Sequence, residues 1–191
     1  VLLLNNKKSI MKKEAEGKEM LNEKVSELLN DQINKEMYSA YLYLDFANFY
    51  TAKGLDGFAN WYRIQAKEEM DHAIGIINYL QDNDYVVTLD AIDKPDKELN
   101  ELSDPLKYGL EHERYVTDLI HTIYKAAHEV HDYRTMKFLD WYVEEQGEEE
   151  KNASDLINKF ELFGHDAKVL YQLNNELRQR TYTTSSILAG E

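Results

Sequence analysis

Four separate stretches of this chain carry an acid where an apolar helical stripe should continue. These are Glu36, Glu69 with His72 three residues on, Glu113, and Gln146 with Glu149 three residues on. Side chains three apart share a helix face, so each pair offers two donors to one point. Carboxylate oxygens with a single imidazole suit iron or manganese better than a structural zinc site, which favours Cys and His. The chemistry such a set could do is to hold hard cations and to favour their higher oxidation state.

The elements that must position these residues follow from periodicity. Reading each stretch at alternating steps of four and three gives one inward stripe per helix. They are Leu29, Ile33, Glu36, Ala40, Tyr43, Ala47 and Tyr50; Phe58, Tyr62, Gln65, Glu69, His72, Ile76 and Tyr79; Leu106, Leu110, Glu113, Thr117, Ile120, Tyr124 and Ala127; and Leu139, Tyr142, Gln146, Glu149, Ala153, Leu156 and Phe160. Each is apolar or aromatic except near its middle. Four carboxylates at mid-height of one bundle would be desolvated neighbours of like charge, at several kcal/mol per unpaired ion. No Lys or Arg falls on these stripes, so metal is the economical neutraliser. His112, His121, His128, His131 and His165 lie off the stripes and read as surface or packing residues.

The expected helices are Leu21–Lys53, Asp56–Asp82, Asp104–Val130, Asp132–Gly164 and a short fifth over Asp166–Arg178, with Asp104 as N-cap and Pro105 at N1 of the third. Gly54-Leu55 and the turn at His131 are tight, which makes their flanking helices antiparallel. The link over 83–101 spans up to about 65 Å at ~3.4 Å per residue. A helix of ~27 residues is only about 40 Å long. The link can therefore cross the whole bundle and leave the second and third helices parallel. The expected fold is all-α: an up-down-down-up four-helix bundle with one long crossover and a short fifth helix. Residues 1–19 read as an N-terminal extension, 20–180 as the domain, and 181–191 as a disordered tail.

Composition narrows the function classes. Among 191 residues there is no cysteine and only two prolines, which leaves no disulfide or thiolate site and fits a cytoplasmic protein. A formal charge of −14 argues against nucleic-acid binding, including a DNA-binding protective shell. The apolar runs are too short to span a membrane, and Val1–Leu4 is too short for a signal-peptide core. Glu36 and Glu69 are 33 residues apart, as are Glu113 and Gln146. The chain thus reads as two related helical hairpins, the second with Gln where the repeat predicts Glu and Glu where it predicts His, giving two unequal metal positions.

The stretches NDQINKEMYSAYLY around Glu36, QAKEEMDH around Glu69 and His72, EHE at Glu113 and FLDWYVEEQGEEE over 138–150 resemble the bacterial non-haem ferritins, and the resemblance covers about 21–179. It implies a hollow homo-oligomeric shell of 24 subunits that takes up Fe(II), oxidises it with dioxygen or hydrogen peroxide, and stores the mineral in its cavity. It implies one iron position at Glu36, Glu69 and His72 and a second at Glu69 (bridging), Glu113 and Glu149. Gln146 would be a hydrogen-bonding neighbour, Tyr43 a redox-active neighbour and Trp141 an adjacent aromatic. A third iron would meet Glu68, Glu145, Glu148 and Glu149. The haem-containing relatives carry a second Glu-x-x-His in the fourth helix; Gln146-x-x-Glu149 breaks that pattern, so despite Met70 no haem is expected. Gly147 stands where the family has a larger residue and is expected to loosen packing. The competing reading is a di-metal oxidase or peroxidase without a storage shell.

Overall fold

A computed structural model describes residues 20–188; the N-terminal extension and residues 189–191 lie outside the described residues. The helices are α1 (Glu23–Ala52), α2 (Asp56–Asp82), α3 (Asp104–Glu129), α4 (Tyr133–Phe163) and α5 (Ala167–Arg178), followed by a 3₁₀ turn over Ser186–Leu188. The expected boundaries hold to within two residues. The start of α3 differs in detail. Ser103, not Asp104, occupies the N-cap position, and Asp104 Oδ2 turns back to accept the amides of Asn100 (2.8 Å) and Glu101 (2.7 Å).

The turns are local in origin. Gly54 closes α1 with φ +74°, a conformation that costs glycine little. Asp132 caps α4 by accepting from Thr135 N (3.0 Å) and Thr135 Oγ1 (2.7 Å), and Asp166 caps α5 through Lys168 N and Val169 N.

The crossover is pinned along α1. Asn30 exchanges hydrogen bonds with the backbone of Thr88 (both 2.9 Å), and Asn34 Nδ2 donates to Ala91 O (2.9 Å). Tyr50 Oη donates to Leu102 O (2.7 Å) at the far end of α1, and Tyr62 Oη to Pro105 O (2.9 Å). The chain therefore leaves α2 at one end of the bundle and starts α3 at the other, so α2 and α3 run parallel, as the link length predicts.

The core is divided in two. One apolar cluster holds Tyr43, Phe46, Tyr50, Phe58, Tyr62, Leu106, Leu156 and Phe160. The other holds Leu29, Ile33, Ala73, Ile76, Val116, Ile120, Leu139 and Tyr142. On every helix the acid of the stripe falls between its members of the two clusters, in a polar layer at mid-height.

The fifth helix seats against the start of α2, which has no side-chain cap of its own at Leu55. Asn174 Oδ1 supplies it from α5, accepting Gly57 N (2.8 Å) and Phe58 N (3.3 Å). Glycine is required at 57 because a Cβ there would lie 1.6 Å from Asn174 O. Beyond α5, the segment expected to be disordered lies against α2 as far as Leu188. Tyr182 Oη and Ser185 N both donate to Asp71 Oδ2 (2.7 and 2.8 Å), and Trp141 Nε1 donates to Ser186 Oγ (2.9 Å). These donors and acceptors lie more than 40 residues apart in sequence, so no local pattern announces the docking. Asn174→Ala removes the cap and should cost about 1 kcal/mol, raising amide exchange at Gly57 and Phe58 roughly fivefold while α3 stays protected.

Candidate metal centre

The polar layer is almost dry. Relative exposure is 1% for Glu36, 2% for Glu69, 1% for His72, 3% for Glu113, and 4% each for Gln146 and Glu149. All six stripe residues singled out from the sequence are thus buried at one level of the bundle, contributed by four helices.

Glu36, Glu69 and His72 form the compact half. One ligand atom from each lies within 4.8 Å of the other two, and His72 Nδ1 stands 3.7 Å from Glu69 Oε2. Glu36 Oε1 accepts from Gln32 Nε2 (2.9 Å). Glu36 Oε2 and His72 Nε2 are buried without any hydrogen-bond partner. Buried polar atoms are almost always satisfied, because an unmade bond there costs about 1–3 kcal/mol. An unpartnered carboxylate oxygen and an unpartnered imidazole nitrogen in a group with a second carboxylate fit a cation as a missing partner.

The other half is held open by neutral donors. Tyr43 Oη donates to Glu113 Oε1. Gln146 Nε2 donates to Glu113 Oε2 (3.3 Å) and to its main-chain carbonyl (3.2 Å). Gln65 Nε2 donates to Glu149 Oε2 (2.7 Å). Among the described residues Glu113 and Glu149 do not close into a second compact three-ligand group. Both line a cavity of about 20 Å³ with Tyr43, Tyr62, Gln65 and Leu156, room for a water-sized molecule. The two halves therefore differ, as Gln146 and Glu149 in the second hairpin predict.

Electrostatics follow from burial. Desolvation raises the pKa of Glu36 and, further, that of Glu69, with Glu113, Glu36 and Glu149 adding repulsion to the latter. It pushes Glu113 up to about 7 and Glu149 up to about 8. Burial and the Glu113 charge hold the Tyr43 phenol well above its ordinary value, so it is protonated and able to donate. Without a cation the layer keeps protons, since like charges in a low dielectric disfavour ionisation.

The carboxylates matched to a third position sit differently. Glu145 Oε1 is 3.9 Å from His72 Nε2, Glu148 is exposed, and Glu68 is paired with Arg180 Nη2 at 2.7 Å. Gly147 corrects an expectation: it lies on the exposed side of α4, where a Cβ would meet nothing within 4 Å, so it loosens no packing. His112 is a packing residue, edge-on to Tyr43 at 5.9 Å and 2.7 Å from Ser39 Oγ, with burial lowering its pKa to about 4. The other four histidines off the stripes are exposed. Trp141 packs edge-on to His72 at 5.4 Å, and Tyr142 Oη donates to His72 O (2.8 Å).

Sequence reasoning missed three supporting groups. Gln32 was findable, being one turn before Glu36 on the same face. Gln65 was on the stripe, but its bond to Glu149 spans 84 residues. Arg180 was the last residue of the expected domain, and its bonds to Gln65 and Glu68 span 115 and 112 residues.

Comparison with known proteins identifies relatives of the chain as a whole. The profile of the family described as Ferritin-like domain matches residues 26–163. The chain is 39% identical over 152 residues to the bacterial non-heme ferritin of Campylobacter jejuni, covering 80% of this chain and 91% of that one. It is 37% identical over 158 residues to a probable bacterial non-heme ferritin-like protein of Haemophilus influenzae, covering 83% and 96%. It superposes with a TM-score of 0.83 on an open pore ferritin from the hyperthermophilic archaeon Archaeoglobus fulgidus, at 40% identity, covering 86% of this chain and all of that one. With its mid-bundle carboxylates, its crossover topology and relatives matched over nearly their whole length, the chain belongs to the ferritin family.

Proposed function

We propose that this ferritin stores iron after oxidising Fe(II) at a two-metal centre inside each bundle. The single observation that carries the assignment is the convergence of Glu36, Glu69 and His72, all buried, each with a ligand atom within 4.8 Å of the other two. The chain is an iron-storage protein with ferroxidase activity. One Fe(II) is held by Glu36, Glu69 and His72. The second is held by Glu69 as a bridge with Glu113 and Glu149. Gln146 and Tyr43 hold the Glu113 carboxylate by donating to it, and Gln65 does the same for Glu149.

The residues account for the direction of the reaction. Anionic oxygen ligands stabilise Fe(III) over Fe(II). Each of two Fe(II) ions gives up one electron, and dioxygen accepts both with two protons to leave as hydrogen peroxide. Hydrogen peroxide is the alternative acceptor, leaving as water. The protonated Tyr43 beside Glu113 is placed to supply a further electron or to limit radical escape. Fe(III) then leaves for the cavity of a shell, for which we take 24 subunits. Tyr133 (70% exposed), Leu162 (74%) and Tyr171 (65%) remain at the surface of a single chain, as burial between copies requires. Among the described residues no helix is long and apolar enough to cross a membrane. A cytoplasmic setting is the reading that the absence of cysteine favours.

Glu69→Ala should abolish fast aerobic Fe(II) oxidation, by at least about a hundredfold if both metal positions are lost, with helicity by circular dichroism unchanged; an unaltered rate overturns the assignment. Light scattering should give a particle of roughly half a megadalton, as 24 chains of 22.4 kDa require, retaining far more than two irons per chain after aerobic loading. A small oligomer retaining two metals per chain would instead identify a di-metal oxidase.

The raised acids set a pH dependence. In the metal-free fold Glu113 and Glu149 keep protons up to about 7 and about 8, against 4.5 when unfolded. The folded state therefore binds more protons between these limits, and metal-free stability should fall as pH rises through that window. Fe(II) must displace those protons. Anaerobic calorimetry in buffers of differing ionisation enthalpy should show proton release per Fe(II) larger at pH 6.5 than at pH 8.5, and affinity rising with pH up to about 8.

A further inference from the structure

Arg180 follows α5 and turns its side chain back over α2. Its guanidinium Nη2 donates to Glu68 Oε2 (2.7 Å), and Nη1 donates to Gln65 Oε1 and more distantly to Trp61 O (3.5 Å). The guanidinium lies over the Trp61 ring, 4.2 Å from its centroid, and the side chain is 22% exposed. Asn60 Nδ2 anchors the backbone at Arg180 O (2.9 Å), and the bonds of Tyr182, Ser185 and Ser186 to α2 and α4 hold the segment beyond it. A rigid, planar, permanently charged fork thus reaches the edge of the polar layer.

Two consequences follow from donor and acceptor chemistry. A Gln side chain has one oxygen and one NH₂ end. With Gln65 Oε1 taken by Arg180, the NH₂ end must face Glu149, where it donates to Oε2 at 2.7 Å. With Oε1 free to turn inward, the amide oxygen would repel that carboxylate. Arg180 therefore decides, across α2, which end of Gln65 meets the second metal position. Glu68, one of the carboxylates matched by resemblance to a third iron, already has a cation of its own.

We propose that Arg180 is a positioning residue of the metal centre: its guanidinium takes the place of a third metal ion at Glu68 and, through Gln65, orients Glu149 for the second. This rests on the two-metal reading above. The chain then binds two Fe(II) per bundle with high affinity, not three. The C-terminal segment, whose described residues beyond Arg180 include no acid or histidine, sets that number.

Anaerobic titration calorimetry with Fe(II) alone, on the assembled protein, separates the two roles. Wild type should bind two equivalents per chain. Arg180→Ala should gain a third, which disappears again when Glu68→Gln is added, and its second equivalent should weaken about tenfold, the loss of one hydrogen bond to a charged group. Arg180→Lys keeps a charge at Glu68 without the fork, so it should retain two equivalents while still showing the weakened second one. Gln65→Leu, which leaves the C-terminal segment untouched, should weaken the second equivalent alone. Three equivalents in wild type, or an Arg180→Ala protein matching wild type in stoichiometry and second affinity, overturn the proposal. Glu69→Ala is the control for the centre itself. If it leaves both wild-type equivalents intact, the two-metal reading fails; if it removes them while Arg180→Ala changes nothing, only the role of Arg180 fails.

Discussion

Four carboxylates at the same height inside a helical bundle cannot all be ionised without a counter-charge, and most of this structure is arranged around that constraint. Burying one unpaired ion costs several kcal/mol, and each additional like charge raises the cost. The apolar core splits into an aromatic half around Tyr50, Phe58 and Tyr62 and an aliphatic half around Leu29, Ile76 and Ile120. The acids occupy the boundary between them. Burial raises the pKa values of Glu36, Glu69, Glu113 and Glu149, which favours protons on the layer when no cation is bound. A divalent ion exchanges for those protons, so the same interaction that destabilises the empty ionised layer favours metal uptake.

Neutral donors set how that layer differs from end to end. At Glu36 a single amide donor leaves one oxygen without a hydrogen-bond partner, and His72 Nε2 likewise has none. At Glu113 both oxygens are engaged, one by the Tyr43 phenol and the other by the Gln146 amide. A cation entering the first half displaces no protein hydrogen bond from those free atoms. In the second half it competes with bonds already made. The asymmetry is built from hydrogen bonding as well as from ligand identity, and it suits a centre in which one ion is held while the other turns over.

The backbone makes this possible through one long connection. Two tight hairpins alone could be stacked in more than one way. The crossover, fastened to Asn30 and Asn34 at one end of α1 and to Tyr50 at the other, starts α3 level with α2. Glu69 and Glu113 then meet at mid-height, where burial raises the Glu69 pKa and repulsion from Glu113 adds to it. The fifth helix and the segment after it close the opposite side, capping α2 through Asn174 and bringing Arg180 to Gln65 and Glu68.

Residue order alone determined the helices, their inward stripes, the parallel course of α2 and α3, and the six buried polar positions from Glu36 to Glu149. All of these follow from a 3.6-residue repeat and from the reach of a connecting chain, which are local quantities. The tertiary structure decided what those positions touch. Gln65 and Glu149 are 84 residues apart, Tyr43 and Glu113 are 70 apart, and Arg180 and Gln65 are 115 apart. The placement of the Thr/Ser segment beyond Arg180 belongs to the same class, since Tyr182, Ser185 and Ser186 find distant partners on α2 and α4. Gly147 shows the converse, a motif position that invites a packing explanation until its exposed side of α4 is seen. Periodicity reports which face a side chain occupies, whereas hydrogen bonds between distant residues depend on helix rotation and offset, which are settled only when the two halves of the core pack together.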